Sequence, residues 1–122
     1  MPAKRKITHA DGMTALAKAT GDASRQVRAK AVRYLLEELA EIAPGHAVEV
    51  RVPPFGATQC VAGPRHSRGT PPNVVEMPPE VWIALATGSL SWQAAVSSGL
   101  VNASGERANL EPFLPIVRST AH

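Results

Sequence analysis

Five residues near the middle of the chain carry most of its polar chemistry: Arg51, Arg65, His66, Arg68 and Glu76. A guanidinium is a planar fork of donors that matches a carboxylate or phosphate, so three arginines at a pocket mouth can hold a fatty-acid or phospholipid head group. The glycines and prolines between Gly63 and Pro72 would bring backbone N–H groups toward the same anion. The same side chains can equally pair with Glu49, Glu76 or backbone carbonyls as ordinary surface ion pairs. Cys60 and His66 are the nearest Cys–His combination, but a nucleophile needs a lowered thiol pKa and a base in reach. Cys60 falls in a strand pattern and reads as a small buried hydrophobe. His9, His46, His66 and His122 show no i,i+3 or i,i+4 pairing and have no second cysteine to join, so no zinc site is expected. No Gly-rich phosphate loop and no Gly-x-Ser-x-Gly elbow is present. No catalytic residue, metal or cofactor is expected.

The elements that must position these residues follow from periodicity. Asp11 to Thr20 is a weak helical pattern with Asp11 as its candidate cap. Ser24 to Ala43 is a firm one, with Val27, Ala31, Val32, Leu35, Leu36, Leu39 and Ile42 on one stripe. Its charged positions, Arg25, Arg28, Lys30 and Arg33 early and Glu37, Glu38 and Glu41 late, avoid that stripe and read as a solvated outer face. The other reading of the basic first turns is that they meet an acidic partner. His46 to Val52 alternates as a half-buried strand, with Val48, Val50 and Val52 facing one way. Ala57 to Ala62 would pair with it as an antiparallel hairpin. Asn73 to Met77 is a third strand, expected antiparallel to the second in a meander. Pro78 to Gly88 and Ser91 to Gly99 are two short apolar helices, each closed by a glycine. Val101 to Ser104 is a fourth strand, and Leu110 to Val117 a closing apolar segment broken by Pro112 and Pro115.

Composition narrows the class. The chain has 122 residues, 44% hydrophobic and 4% aromatic, so one domain with a core of Ala, Val and Leu is expected. Residues 1–10 read as a flexible basic tail and 11–122 as the domain. The net charge of +3 is matched by Lys4, Arg5 and Lys6 alone, which leaves a nearly neutral body and argues against nucleic acid as a partner. No apolar run approaches the ~20 residues of a membrane span, so no stable membrane insertion is expected. A single cysteine, no secretory pattern and no terminal targeting signal make cytoplasmic the expected location.

The order Trp82-x2-Leu85-x2-Gly88-x-Leu90, then Ala95, Gly99, Val101, Ala103 and Gly105, then Leu110 and Leu114, resembles the C-terminal half of the sterol carrier protein family. The stretches Val48–Gly56 and Gly63–Glu76 are similar to its actinobacterial orthologue branch. A related domain ends the mycothiol-dependent isomerases. The resemblance covers roughly residues 24 to 117. It departs from the eukaryotic type in lacking a Ser-Lys-Leu ending and in its proline-rich basic loop. It implies an α+β fold, a mostly antiparallel sheet of about five strands with helices packed on one face, and an apolar tunnel for a lipid or acyl chain. On that reading Trp82, Leu85, Trp92, Val96, Leu110 and Phe113 line the ligand, and Arg51, Arg65, His66, Arg68 and Glu76 form the polar mouth. The two tryptophans read as readily as core residues sealing helices to sheet. The expected function is a non-catalytic carrier of a lipid-like ligand. The alternative is an interaction or regulatory module with a filled core that forms a homodimer or docks on an enzyme. An accessory role with a thiol cofactor rests on analogy to the isomerases alone.

Overall fold

The computed structural model describes residues 6–19, 24–63 and 73–117. Helix α1 spans His9–Lys18 and α2 spans Arg25–Ile42. Ser24, where the helical pattern starts, caps α2, its hydroxyl accepting from the Val27 amide at 3.2 Å. For α1 the cap is Thr8, not Asp11: the Thr8 hydroxyl accepts from the Asp11 amide at 3.1 Å. Both residues are suited to a helix start. With Thr8 at the cap, the Asp11 carboxylate falls in the first turn, where it complements the helix dipole.

Among the described residues the sheet has four strands in the order β2-β1-β3-β4, with β1 Val48–Val52, β2 Gly56–Cys60, β3 Asn73–Glu76 and β4 Asn102–Ser104. β1 and β2 form the expected antiparallel hairpin, in the register Val48↔Cys60 and Val52↔Gly56. The third strand differs from the meander. It runs antiparallel in direction to β2 yet pairs with β1, parallel, in the register Val48↔Asn73 to Arg51↔Glu76. Val48, Val50 and Val52 are wholly buried, so β1 is the strand that belongs in the middle, with partners on both sides. Asn73, the one buried polar residue among those described, fixes β3 there. Its Nδ2 donates to Ala47 O at 2.8 Å, and its Oδ1 accepts from Arg107 N at 2.9 Å. β4 completes the sheet antiparallel to β3. Among the described residues the fold is therefore α+β with a mixed sheet of four strands, antiparallel in two of its three pairings, which agrees roughly with the expected, mostly antiparallel sheet of about five.

Between α2 and β1 the chain reverses at Gly45, whose φ of 144° lies in the region open to glycine. A Cβ there would stand 2.2 Å from the Val61 carbonyl oxygen. That closeness lets Val61 N donate to Ala43 O at 2.7 Å and Ala47 N donate to Val61 O at 3.0 Å, tying the end of β2 to both sides of the turn.

Alternation divides the sheet. Val48, Val50, Val52, Cys60 and Val75 are buried on one face, while Glu49, Arg51, Val74 and Glu76 are half-buried on the other. Helix α3 (Pro79–Thr87) buries Val81, Trp82, Ile83, Leu85 and Ala86, and α4 (Trp92–Ser97) buries Trp92 and Ala95. The Trp82 indole N–H donates to Val32 O at 3.3 Å, joining α3 to α2. Gly88 closes α3 at φ 86°. Past a short 3₁₀ turn at Glu111–Phe113, the amides of Ile116 and Val117 donate to Ala86 O at 2.8 and 3.0 Å. The closing segment thus folds back onto the end of α3, whose last carbonyls need such donors. Among the described residues no helix is long and apolar enough to cross a membrane.

Candidate functional site

A cleft of about 750 Å³ lies between α2 and the β1–β2 hairpin, with residues 6 and 7 at its edge. Its position follows from two local features. The first is a second row on α2 that borders the core stripe and shares Leu36 with it, running through Arg25, Ala29, Arg33 and Leu36 at steps of four, four and three. The second is the hairpin turn, where Phe55 N donates to Val52 O at 2.9 Å and Phe55 faces the helix from just before β2. Here β2 approaches α2 closely: a Cβ on Gly56 would stand 3.4 Å from a Leu36 methyl.

The floor is apolar, with Ile7, Ala29, Leu36, Pro54 and Phe55 contributing to it, and Ala29, Leu36 and Phe55 buried. Among the described residues the rim carries four cationic side chains, Lys6, Arg25, Lys30 and Arg33, against one carboxylate, Glu37. Two of the cations are braced by Phe55. Arg33 Nε donates to the Phe55 carbonyl at 2.8 Å, and the Arg25 guanidinium carbon sits 5.4 Å from the Phe55 ring centroid. Glu37 faces the N-terminal segment, its two carboxylate oxygens accepting from the backbone amides of Lys6 and Ile7 at 3.2 and 3.1 Å. An apolar trough with a cationic rim can hold an extended hydrocarbon chain and an attached anion together.

The residues expected to line a ligand from the other helices lie elsewhere. Trp82, Leu85 and Leu110 have no exposed surface, so they present none to a ligand and act as core. Trp92 is buried at the edge of that core, Phe113 packs partly against it, and Val96 faces solvent. The polar mouth divides as well. Arg51 and Glu76 are cross-strand neighbours on the open face of the sheet, with the sheet between them and Trp82. There Arg51 Nε bonds Glu49 Oε2 at 2.5 Å. That bond and the Glu49 charge, with a smaller contribution from Glu76, push the guanidinium pKa up from its already high value. Arg65, His66 and Arg68 lie outside the described residues.

Cys60 is wholly buried, and burial pushes its thiol up to about 12, the opposite of an activated nucleophile. His46 Nδ1 lies 2.9 Å from Gln59 Oε1, and His9 Nδ1 lies 2.7 Å from the Tyr34 hydroxyl. Among the described residues no three His, Cys, Asp or Glu side chains cluster as a metal site would require.

The cleft was not singled out in the sequence because Arg25, Lys30 and Arg33 looked like a solvated face and Leu36 was read as core alone. Two signals were available: Ala29 and Leu36 interleaved with the basic residues, and an aromatic side chain, Phe55, in the turn between two strands. Compared with known protein families, residues 24–116 match the model described as bacterial SCP ortholog. No curated protein matches the chain.

Proposed function

The chain belongs to the bacterial SCP ortholog family, the orthologues of sterol carrier protein, and we propose that it is a carrier domain for a single-chain amphiphile with an anionic head. The observation that supports this reading is the cleft beside α2, whose volume of about 750 Å³ suits a small lipid. The hydrocarbon would lie over Ala29, Leu36 and Phe55, and the head group would meet Arg25, Lys30 and Arg33. The polar end is thereby assigned to α2, away from Arg51. The carrier has no chemistry of its own: burial keeps Cys60 protonated and out of reach, and binding needs neither a metal nor a cofactor. A cytoplasmic carrier of this kind would take its ligand from solution or from a donor protein.

Titration with a fluorescent fatty acid, together with native mass spectrometry and lipid extraction of the purified protein, tests the reading. Saturable binding is expected. Lys30→Glu should weaken an anionic probe about fivefold, near 1 kcal/mol for a reversed charge at a wet surface, and leave the matching fatty alcohol unchanged. No co-purified lipid and no probe binding would remove the proposal.

A second reading is favoured by one observation, the filled interior beneath α3, where Trp82, Leu85 and Ala86 have no exposed surface. It makes the domain an interaction module, self-associating or docking on an enzyme. Sedimentation equilibrium would show a dimer under this reading, with lipid binding absent.

A further inference from the structure

The cleft has two unlike ends, and one of them is built by residues that precede the family-matched region. It follows α2 from Arg25 to Glu37, twelve helical steps or about 18 Å. At the Glu37 end the chain of Lys6 and Ile7 crosses it, held where one carboxylate accepts both successive amides at 3.2 and 3.1 Å. Ile7 lines the cleft and packs partly against the core. The segment is not a loose tail: it runs directly into Thr8, which caps α1. Helix α1 is in turn seated on α2 through Gly12 against the Tyr34 ring and through the His9–Tyr34 hydrogen bond.

Residues 6–18 lie outside the matched span of 24–116, so this end of the cleft is built by residues that the family match does not cover. The geometry points to Ile7, fixed by Glu37, as the stop that sets how long a hydrocarbon chain the cleft accepts. This rests on the carrier reading above and deepens it. A chain whose anionic head pairs with Arg25 and Lys30 extends along Ala29 toward Leu36 and meets the Ile7 side chain there. Methylenes beyond that point gain no burial. Each methylene admitted or excluded moves affinity about fourfold. Ile7 acts by shape, and Glu37 acts through Ile7 as a positioning residue.

The test uses the full chain and a series of saturated fatty acids of increasing length, with dissociation constants read by displacement of a fluorescent fatty acid. Ile7→Trp fills the end and should move the tightest-bound length to a shorter acid. Ile7→Ala opens it and should move the optimum to a longer one. Thermal melts of both variants confirm that the fold is kept, since Ile7 is only partly buried. Wild type and both variants sharing one optimum overturns Ile7 as the stop while leaving the carrier reading intact. Wild type that binds no member of the series overturns the carrier reading and this inference with it.

Discussion

Cys60 shows how much a residue's surroundings decide what it can do. Its thiol is an ordinary candidate nucleophile by type, yet burial raises its pKa from 9.0 to about 12. The unfolded thiol loses its proton near pH 9.0 and the folded one holds it to about 12. Between those values the unfolded state binds fewer protons, so stability is intact below pH 9.0 and falls as pH rises toward 12. The full fall is up to about 4 kcal/mol. Urea unfolding of wild type and Cys60→Ala at several alkaline pH values checks this through the slope of stability against pH. The slope should flatten in the variant, whatever the substitution costs at neutral pH. Equal slopes would show that the thiol is not the titrating group. A single Cys in a strand pattern was enough to expect a buried hydrophobe, because alternation reports facing directly. How far its pKa moves depends on what closes over it, and residue type carries no trace of that.

At the scale of elements, the seating of α1 on α2 turns on one glycine. Alanine at an exposed helix position would gain up to about 1 kcal/mol over glycine from propensity. At Gly12 the added Cβ would lie 2.1 Å from Tyr34 Cδ1, and Tyr34 has no exposed surface through which to swing away. Overpacking of this kind costs about 1–3 kcal/mol, so the clash wins. Gly12→Ala is therefore expected to lower the melting temperature and to speed hydrogen exchange of the α1 amides. A more stable variant would mean that α1 packs differently. The weak helical pattern before residue 20 announced α1, but its partner was not visible there. Tyr34 lies seven residues from Val27, at the edge of the core stripe, and nothing in that spacing says which element covers it. The closing segment was legible in outline, since apolar residues around two prolines must cover something. Its target, the Ala86 carbonyl, was not, because an orphan helix carbonyl has no signature in sequence.

For the molecule as a whole, Trp82 joins the layers. Its ring is fully enclosed and its indole N–H reaches the Val32 carbonyl on α2, so α2, α3 and the sheet share one core. Trp82→Ala should cost about 3–5 kcal/mol, a large part of a domain's stability. Chemical denaturation measures it, and a loss under about 1 kcal/mol would be incompatible with an enclosed ring. The same enclosure sets the region first read as the ligand site apart from the cleft: the tryptophans and the Pro78–Gly99 helices build core, while the cleft lies between α2 and the β1–β2 hairpin.

What the sequence determined by itself was local: the elements, most caps, the buried faces of β1 and α2, and the family, all carried by neighbours within a few residues of each other. The tertiary structure decided which strands pair. β3 joins β1 in parallel because β1, with Val48, Val50 and Val52 fully buried, sits inside the sheet with a partner on each side, whereas chain order alone favoured a meander. It also decided where a cavity forms. A cleft is the space left between elements distant in sequence, here Ile7, Arg33 and Phe55, and no periodicity along the chain encodes how far apart they come to rest.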